Sequence, residues 1–131
     1  MLESSSIYRA IDANLNRLQE GLRVIEDINR YIYNNGELAY KIKSIRHQCK
    51  IDDREDLLRT RDSKGDVLKR STDSETKRTN IKDILISNFK RAQESSRVLE
   101  ECYKLVEVQQ SEHFKSIRYQ LYQIDKEQFL N

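Results

Sequence analysis

Residues 14–27 read NLNRLQEGLRVIED, and residues 88–101 read NFKRAQESSRVLEE. The two stretches are identical at seven of fourteen positions and lie 74 residues apart. A second pair follows in the same order: KSIRHQ at 43–48 and KSIRYQ at 115–120 are identical at five of six positions, with an offset of 72 residues. Two matches in the same order at nearly the same offset indicate an internal duplication of the chain.

The first copy has the apolar spacing of two helices. One amphipathic helix is predicted from about residue 6 to about residue 34, with Ser4–Ser6 as N-caps and Asn34-Asn35-Gly36 as its end. The second helix is predicted to continue toward Leu57 and Leu58. The positions predicted to be buried are Ile11, Leu15, Leu18, Leu22, Ile25 and Ile32 in the first helix, and Leu38, Ile42, Ile45 and Cys49 in the second.

The second copy repeats this plan. Thr79 or Asn80 can cap a third helix, and a fourth follows Gln110-Ser111. The positions predicted to be apolar contacts are Ile84, Phe89, Ala92, Val98, Leu99, Cys102 and Val106 in the third helix, and Phe114, Ile117, Leu121 and Ile124 in the fourth. Each copy is therefore a helical hairpin, and the two predict an all-α antiparallel four-helix bundle with approximate internal two-fold symmetry.

A chain of 131 residues suits one such domain, over residues 1–131. We expect the first hairpin at about 6–58, a polar loop at about 59–79 and the second hairpin at about 80–128. The loop can be a solvated linker, but a segment of about 20 residues without structure of its own is uncommon in a compact domain and is often functional.

The composition excludes several other classes of protein. Charged residues make up 35% of the chain, proline is absent and there are three glycines, which is too little turn punctuation for a β-rich fold. There is no long apolar run and no secretory signal, so we expect a cytoplasmic protein that does not enter a membrane. A net charge of +2 does not point to nucleic acid. In the loop, seven Lys/Arg are interleaved with four acids (Asp73 and Glu75 among them), and no aromatic residue is present for base stacking.

The two cysteines occupy apolar positions of the repeat. Cys102 aligns with Ile28, and Cys49 aligns with Leu121. Because the other copy fills both positions with an aliphatic residue, we expect buried, reduced thiols rather than a disulfide or a thiol site.

The copies keep their polar residues better than their apolar ones. Leu15 aligns with Phe89 and Leu22 with Ser96, whereas a duplication retained only for packing should preserve the core. The retained polar positions form two stripes on either side of the apolar sector. The first stripe is Asn14, Arg17 and Gly21, matched by Asn88, Arg91 and Ser95, with Glu20 and Glu94 one turn from the arginines; the second is Gln19, Arg23 and Glu26, matched by Gln93, Arg97 and Glu100.

Two interpretations of these stripes are open. The residues can bind a ligand, with Gly21 allowing a close approach, or they can form ion pairs three residues apart and contacts across the bundle. No common nucleotide, metal or redox motif is present, and His47 and His113 stand alone. Arginine, lysine and carboxylates beside an Arg/Asp-rich loop suit phosphate binding and phosphoryl transfer, because arginine forks match phosphate oxygens and carboxylates can hold Mg²⁺.

Four segments in order resemble one known family. They are DANLNRLQEGLRVIED at 12–27, SIRH at 44–47, RDSKGDV at 61–67 and NFKRAQESSRVLEE at 88–101. Together they resemble the helical hydroxymethylpyrimidine phosphate kinase domain that is often fused ahead of thiamin phosphate synthase and is unrelated to the ribokinase-like enzyme for the same step. We expect a stand-alone form of this domain.

The resemblance implies transfer of the ATP γ-phosphoryl group to hydroxymethylpyrimidine phosphate, with Mg²⁺, to give the diphosphate for thiamin biosynthesis. It implies that Arg61 and Lys64 clamp phosphates with help from Arg78, and that Asp62 and Asp66 hold Mg²⁺; Arg61, Asp62 and Asp66 are the expected catalytic residues. The expected walls of a ligand cleft between the first and third helices are Asn14, Arg17, Glu20, Asn88, Arg91 and Glu94. The family pattern leads us to expect glycine at the position of Leu68.

Other functions remain open from the sequence. The chain can be a non-catalytic domain that binds a thiamin precursor or docks onto thiamin phosphate synthase, or a helical adaptor without a small ligand. A homo-oligomer is a further option, since Phe129 and Leu130 leave apolar groups near the end of the sequence.

Overall fold

Helices dominate the structure, which is a computed structural model describing residues 2–52, 54–72 and 76–130. The loop acids Asp73 and Glu75 lie outside the described residues. The elements are α1 (Leu2–Asp27), a π-helical turn (Ile28–Ile32), α2 (Gly36–Gln48), α3 (Arg54–Thr60), α4 (Ile81–Tyr103) and α5 (Val108–Leu130). Within these ranges there is no strand, and no helix combines the length and apolar character needed to cross a bilayer.

The predicted four-helix bundle is confirmed. α1 packs against α2 and α4, α5 packs against α4 and α2, and the short helix α3 lies on α1. Gly21 of α1 faces Asn88 and Ala92 of α4, while Asn14 lies beside Ser95, so the two long helices run antiparallel. Apolar residues from all five helices form one core.

The two ends of the first helix differ from the prediction. α1 already begins at Leu2, so Ser4–Ser6 lie inside the helix and do not cap it. At the other end, the π-helical turn fits more residues into one turn than an α-helix and rotates the following side chains around the axis. Ile28, at the start of this turn, is buried, whereas Ile32 at its end, predicted to be buried, is 52% exposed. The predicted stop is confirmed: Asn34 has φ 53°, and the Asn35 side chain caps α2 by accepting a hydrogen bond from the Leu38 amide at 3.1 Å.

The second predicted helix is broken. α2 ends at Gln48 and α3 begins at Arg54, so the prediction of one helix continuing to Leu57 and Leu58 is wrong. The intervening stretch has Ile51 as its one apolar side chain after Cys49, so a continued α2 would have little to bury. The break instead returns Leu57 to the core against α1.

The second hairpin follows the prediction more closely. Asn80 caps α4, with its side chain accepting a hydrogen bond from the Asp83 amide at 2.9 Å. α4 ends at Tyr103, so Val106 lies beyond the helix, exposed rather than in the core, and Leu85 is more deeply buried than Ile84. The predicted core of the last helix is confirmed at Phe114, Ile117, Leu121 and Ile124.

The repeat generates an approximate two-fold axis. Gln48 and Gln120 occupy equivalent positions, and each side-chain amide donates to the carbonyl of the other, at 3.5 and 3.2 Å. The axis therefore passes between α2 and α5 at these residues. It continues between α1 and α4 near the repeat partners Arg17 and Arg91, with the contact between Gly21 and Asn88 on one side of it.

Both cysteines are free thiols, Cys49 fully buried and Cys102 half-buried. Burial raises the pKa of the Cys49 thiol from its usual 9.0 to about 12. A thiol of the unfolded chain loses its proton at lower pH than Cys49 of the folded chain, so the stability linked to this residue is fully present below pH 9 and is lost as the pH rises toward 12.

We therefore expect the free energy of unfolding to fall by roughly 1 kcal/mol more for the parent chain than for Cys49→Val between about pH 8 and about pH 10. Urea unfolding at the two pH values measures the difference. Cys49→Val is nearly isosteric and cannot ionise, so groups that titrate elsewhere cancel between the two chains. Equal losses in the two chains would contradict the assignment.

Candidate functional site

The second polar stripe, which contains Glu26 and Glu100, joins the two helices of each hairpin. Glu26 of α1 is bound by Arg46 of α2, with Nε and Oε1 2.7 Å apart, and the equivalent Glu100 of α4 is bound by Arg118 of α5, with Nη2 and Oε1 2.8 Å apart. Both carboxylates are almost fully buried. The hydrogen bond that Arg46 donates to Glu26 raises the pKa of Arg46, and those that Arg118 donates to Tyr122 and Glu100 raise the pKa of Arg118. This stripe is structural, as one of the two sequence interpretations proposed.

These ion pairs were not predicted from the sequence, although the repeat carries a signal for them. The S-I-R segment and the R-V-x-E segment both recur, and each pair joins one segment to the other within its own copy.

The first polar stripe, which contains Asn14 and Arg17 and their repeat partners, lies along the groove between α1 and α4. A cleft of about 610 Å³ opens there, and the loop after α3 forms its third wall. It brings together five of the residues predicted for the site: Asn14, Arg17, Asp66, Arg91 and Glu94. The remaining lining residues were not predicted: Ser63, Leu68, Lys69, Ser95 and Val98. We call this the covered cleft.

The two asparagines of this stripe are held in the same way. The side-chain amide of Asn14 donates to the Ala10 carbonyl at 2.9 Å, and that of Asn88 donates to the Ile84 carbonyl at 2.8 Å. The Asn14 carbonyl oxygen accepts a hydrogen bond from Arg17 at 3.5 Å. Each amide is thus oriented by a hydrogen bond within its own helix, which fixes the polar wall of the groove.

The loop reaches the covered cleft by crossing α1. Arg61 binds Asp12 of α1 through two hydrogen bonds of 2.7 Å, and Arg9 donates to the Asp62 carbonyl at 3.0 Å. Asp12 and Asn14 are roughly 200° apart around the helix, so they lie on opposite sides of it. The chain therefore passes over the exposed side of α1 between Arg61 and Ser63. We call residues 61–69 the strap.

Short-range hydrogen bonds shape the strap. The Gly65 amide donates to the Asp62 carboxylate at 2.8 Å, and the Leu68 amide donates to Asp66 at 2.9 Å. The Lys69 ammonium binds the Lys64 carbonyl at 3.0 Å. A Cβ on Gly65 would come too close to the Asp62 carboxylate, so this exposed side chain would have to move in a variant with a larger residue there. These contacts give residues 61–69 defined turns, although all nine residues are exposed to solvent.

The remaining residues predicted for the site lie outside the covered cleft. Arg61 lines a second cleft of about 400 Å³ between α1 and α3, and its bond to Asp12 raises its pKa. Asp62 and Lys64 are exposed within the strap, and Arg78 donates to the Lys77 carbonyl before α4. Glu20 lies in the shallow groove between α1 and α2, and Asn88 lies against Gly21.

Among the residues that were missed, Ser95 was already marked by the repeat as the partner of Gly21. Ser63 and Lys69 flank the quoted loop motif, but nothing in their spacing shows that the strap carries them over α1. Val98 was predicted to lie at the edge of the core and lines the cleft at 38% exposure.

The charges of the covered cleft suit a phosphate group with a divalent cation. Arg17, Lys69 and Arg91 outnumber Asp66 and Glu94. One carboxylate comes from the strap and the other from α4, a donor set that fits Mg²⁺, which is usually bound by one or two carboxylates together with substrate phosphates and water. Over the described ranges, no three His, Cys, Asp or Glu side chains gather into a metal cage.

Comparison with known proteins gives a consistent set of relatives. Residues 9–127 match the ThiD2 family. The chain is 39% identical over 120 residues to the thiamine-phosphate synthase of Nostoc sp. (strain PCC 7120 / SAG 25.82 / UTEX 2576), covering 91% of this chain and 34% of that protein. It is 37% identical over 122 residues to the protein of the same name from Synechocystis sp. (strain ATCC 27184 / PCC 6803 / Kazusa), covering 92% and 36%. For Rhodopirellula baltica (strain DSM 10527 / NCIMB 13988 / SH1) the identity is 35% over 125 residues, covering 92% and 33%.

The chain thus spans about a third of the length of the curated relatives it matches. No solved structure is significantly similar to it.

Proposed function

Since the chain belongs to the ThiD2 family, we propose that it is a kinase of thiamin biosynthesis that transfers the γ-phosphoryl group of ATP to hydroxymethylpyrimidine phosphate. The observation that carries the proposal is the covered cleft. There, polar residues from both copies of the repeat and from the strap line one space: Asn14, Arg17, Asp66, Arg91 and Glu94.

The names of the relatives are compatible with a separate activity for this segment. They are called thiamine-phosphate synthases, and the segment aligned with this chain is only about a third of each. The aligned third and the rest of each relative can therefore perform different steps of one pathway.

The chemistry needs cations more than it needs a base. The acceptor oxygen belongs to a phosphate that is already ionised near neutral pH, because its second pKa is about 6. That oxygen attacks the γ-phosphorus, the bond to the β,γ-bridging oxygen breaks, and ADP leaves. The cleft must therefore bring together two anions that repel each other and align them for the in-line transfer.

Each group of the covered cleft has a role in this proposal. Arg17 and Arg91 hold phosphate oxygens from opposite walls, and Lys69 and Ser63 bind the nucleotide from the strap. Asp66 and Glu94 would hold Mg²⁺, which would supply positive charge to offset that of the phosphates. The Leu68 amide fixes one oxygen of Asp66, so the strap orients this carboxylate.

The experiment that tests the proposal incubates the purified chain with Mg·ATP and hydroxymethylpyrimidine phosphate. ADP release and the diphosphate product are followed together, with ATP alone as the control. Turnover that requires the pyrimidine phosphate supports the kinase. Stabilisation against heat by the pyrimidine phosphate without turnover would instead identify a binding domain, and a folded chain that shows neither would reject both functions.

The strap gives a variant specific to the site. We expect Gly65→Ala to lower turnover by no more than about tenfold, because the added Cβ displaces the exposed Asp62 carboxylate and disturbs its hydrogen bond with the residue 65 amide, which helps to shape the strap. Steady-state kinetics and a thermal melt measure the effect. The matched control is Gly36→Ala, where nothing lies within 4 Å of the added Cβ and turnover should be retained. Normal turnover in Gly65→Ala would mean that the hydrogen bond between Asp62 and the residue 65 amide is not needed to hold the strap over the cleft.

A further inference from the structure

The groove between α1 and α4 has two halves that the repeat makes equivalent. Arg17 and Arg91 are repeat partners, and both line the covered cleft. Asn14 lies toward one end of the groove, beside Ser95. Gly21 lies toward the other end, where the oxygen of the Asn88 backbone carbonyl would be 3.4 Å from a Cβ on Gly21. The two arginines therefore stand near the axis where the halves meet.

The strap covers only one of these halves. Ser63, Asp66, Leu68 and Lys69 all line the half that contains Asn14 and Ser95. The equivalent residues of the other half are Asn88, Gly21 and Val24, with Glu20 in the position of Glu94, and we call this half the open half-groove. Val24 and Val98 are repeat partners and are exposed to the same extent, 37% and 38%, so the strap leaves Val98 as open to solvent as its partner.

The reaction joins two phosphate-bearing molecules, and the groove offers two equivalent half-sites with a shared pair of arginines. The triphosphate of ATP carries more charge than the acceptor's single phosphate and is bound together with Mg²⁺. This suits the half that contains Lys69 and Asp66 of the strap. The acceptor is smaller and must enter and leave past the nucleotide, which suits the half without a cover.

We infer that the open half-groove binds the phosphate of the acceptor, while the covered cleft binds the phosphates of Mg·ATP. The transferred phosphoryl group then lies between Arg17 and Arg91, on the approximate two-fold axis. This inference rests on the proposed kinase function. It assigns each half of the duplicated groove to one substrate.

The matched variants Val24→Glu and Val98→Glu test the inference. Each places a carboxylate at the end of one half, where it repels a bound phosphate. The dissociation constants of hydroxymethylpyrimidine phosphate and of a non-hydrolysable Mg·ATP analogue are measured separately by calorimetry. Val24→Gln and Val98→Gln match the added length without the charge.

Val24→Glu is expected to weaken the pyrimidine phosphate about tenfold relative to Val24→Gln and to leave the analogue unchanged. Val98→Glu is expected to weaken binding of the Mg·ATP analogue about tenfold relative to Val98→Gln and to leave binding of the pyrimidine phosphate unchanged. The opposite pattern would overturn the assignment, and weakening of both ligands by Val98→Glu alone would overturn the use of two halves. In either case, turnover of Mg·ATP and the pyrimidine phosphate by the parent chain would still support the kinase function. A parent that binds neither ligand and shows no turnover would overturn the function together with the inference that rests on it.

Discussion

Arg17→Ala is expected to lower kcat/KM for diphosphate formation by about a hundred- to a thousandfold, the usual cost of removing one donor that stabilises charge in a transition state. In the proposed site, Arg17 contacts the transferred phosphoryl group from the α1 wall of the groove. Its loss leaves two anions facing each other with one fewer cation between them. Steady-state kinetics with both substrates varied measures the effect.

Two further variants separate a role in the site from a role in the helix. Arg17→Lys keeps the charge but loses the planar fork, so it should recover only part of the rate. Arg23→Ala removes an exposed arginine six residues further along α1 that pairs with Asp27, and it should leave kcat/KM within about threefold of the parent. Equal losses in Arg17→Ala and Arg23→Ala would indicate damage to α1 rather than to a phosphate site.

Glu100→Ala is expected to lower the free energy of unfolding by about 3 kcal/mol, because it leaves the Arg118 guanidinium buried without its carboxylate. The side chain of Arg118 is only 10% exposed, and two of its nitrogens bond to Glu100. Urea denaturation followed by circular dichroism measures the loss. The α4–α5 hairpin should be affected first, since this pair joins its two helices.

The neighbouring Glu101 provides the control. Its carboxylate is about half exposed and pairs with Lys104 and Arg97 at the surface, so Glu101→Ala should cost far less stability than Glu100→Ala. The double change Glu100→Ala with Arg118→Met should recover part of the loss, because no uncompensated charge remains buried. A loss below about 1 kcal/mol in Glu100→Ala would mean that solvent reaches Arg118 in the folded chain.

The predictions for Arg17→Ala and Glu100→Ala correspond to the two stripes of polar residues that the repeat retains. Glu26 and Glu100 recur because each hairpin needs the same buried ion pair. Arg17 and Arg91 recur on the side that faces the α1–α4 groove, where they line the covered cleft. From the sequence, either packing or ligand binding could explain both stripes. The structure shows packing contacts for the second stripe and supports the ligand-binding proposal for the first.

The helices and most of the core could be predicted because apolar spacing is a local property of the sequence. Leu18, Leu22, Leu99 and Leu121 are buried as their periodicity predicted. The errors arise where the helical period changes or ends. Ile32 follows a π-helical turn that no spacing rule anticipates.

The candidate site was predicted less completely, because part of it depends on contacts between distant residues. The bond between Arg61 and Asp12 joins residues 49 apart and turns Arg61 away from the covered cleft. Lys69 lines the cleft only because the strap crosses α1. The residues on α1 and α4 were predicted better, since the repeat itself identified Arg17 and Arg91 as equivalent.

The contact between Gln48 and Gln120 limits what residues can occupy the approximate axis. A position that lies on a two-fold axis contacts its own repeat partner. A residue retained in both copies at such a position must therefore be able to pair with an identical residue. A lysine would meet a lysine and a glutamate a glutamate, and both pairs would repel. A carboxamide carries a donor and an acceptor on one group, so two glutamines can satisfy each other through reciprocal hydrogen bonds. This accounts physically for the identity of glutamine at the two positions: a hairpin that once paired with a second copy of itself could keep this contact unchanged after the two copies were joined in one chain.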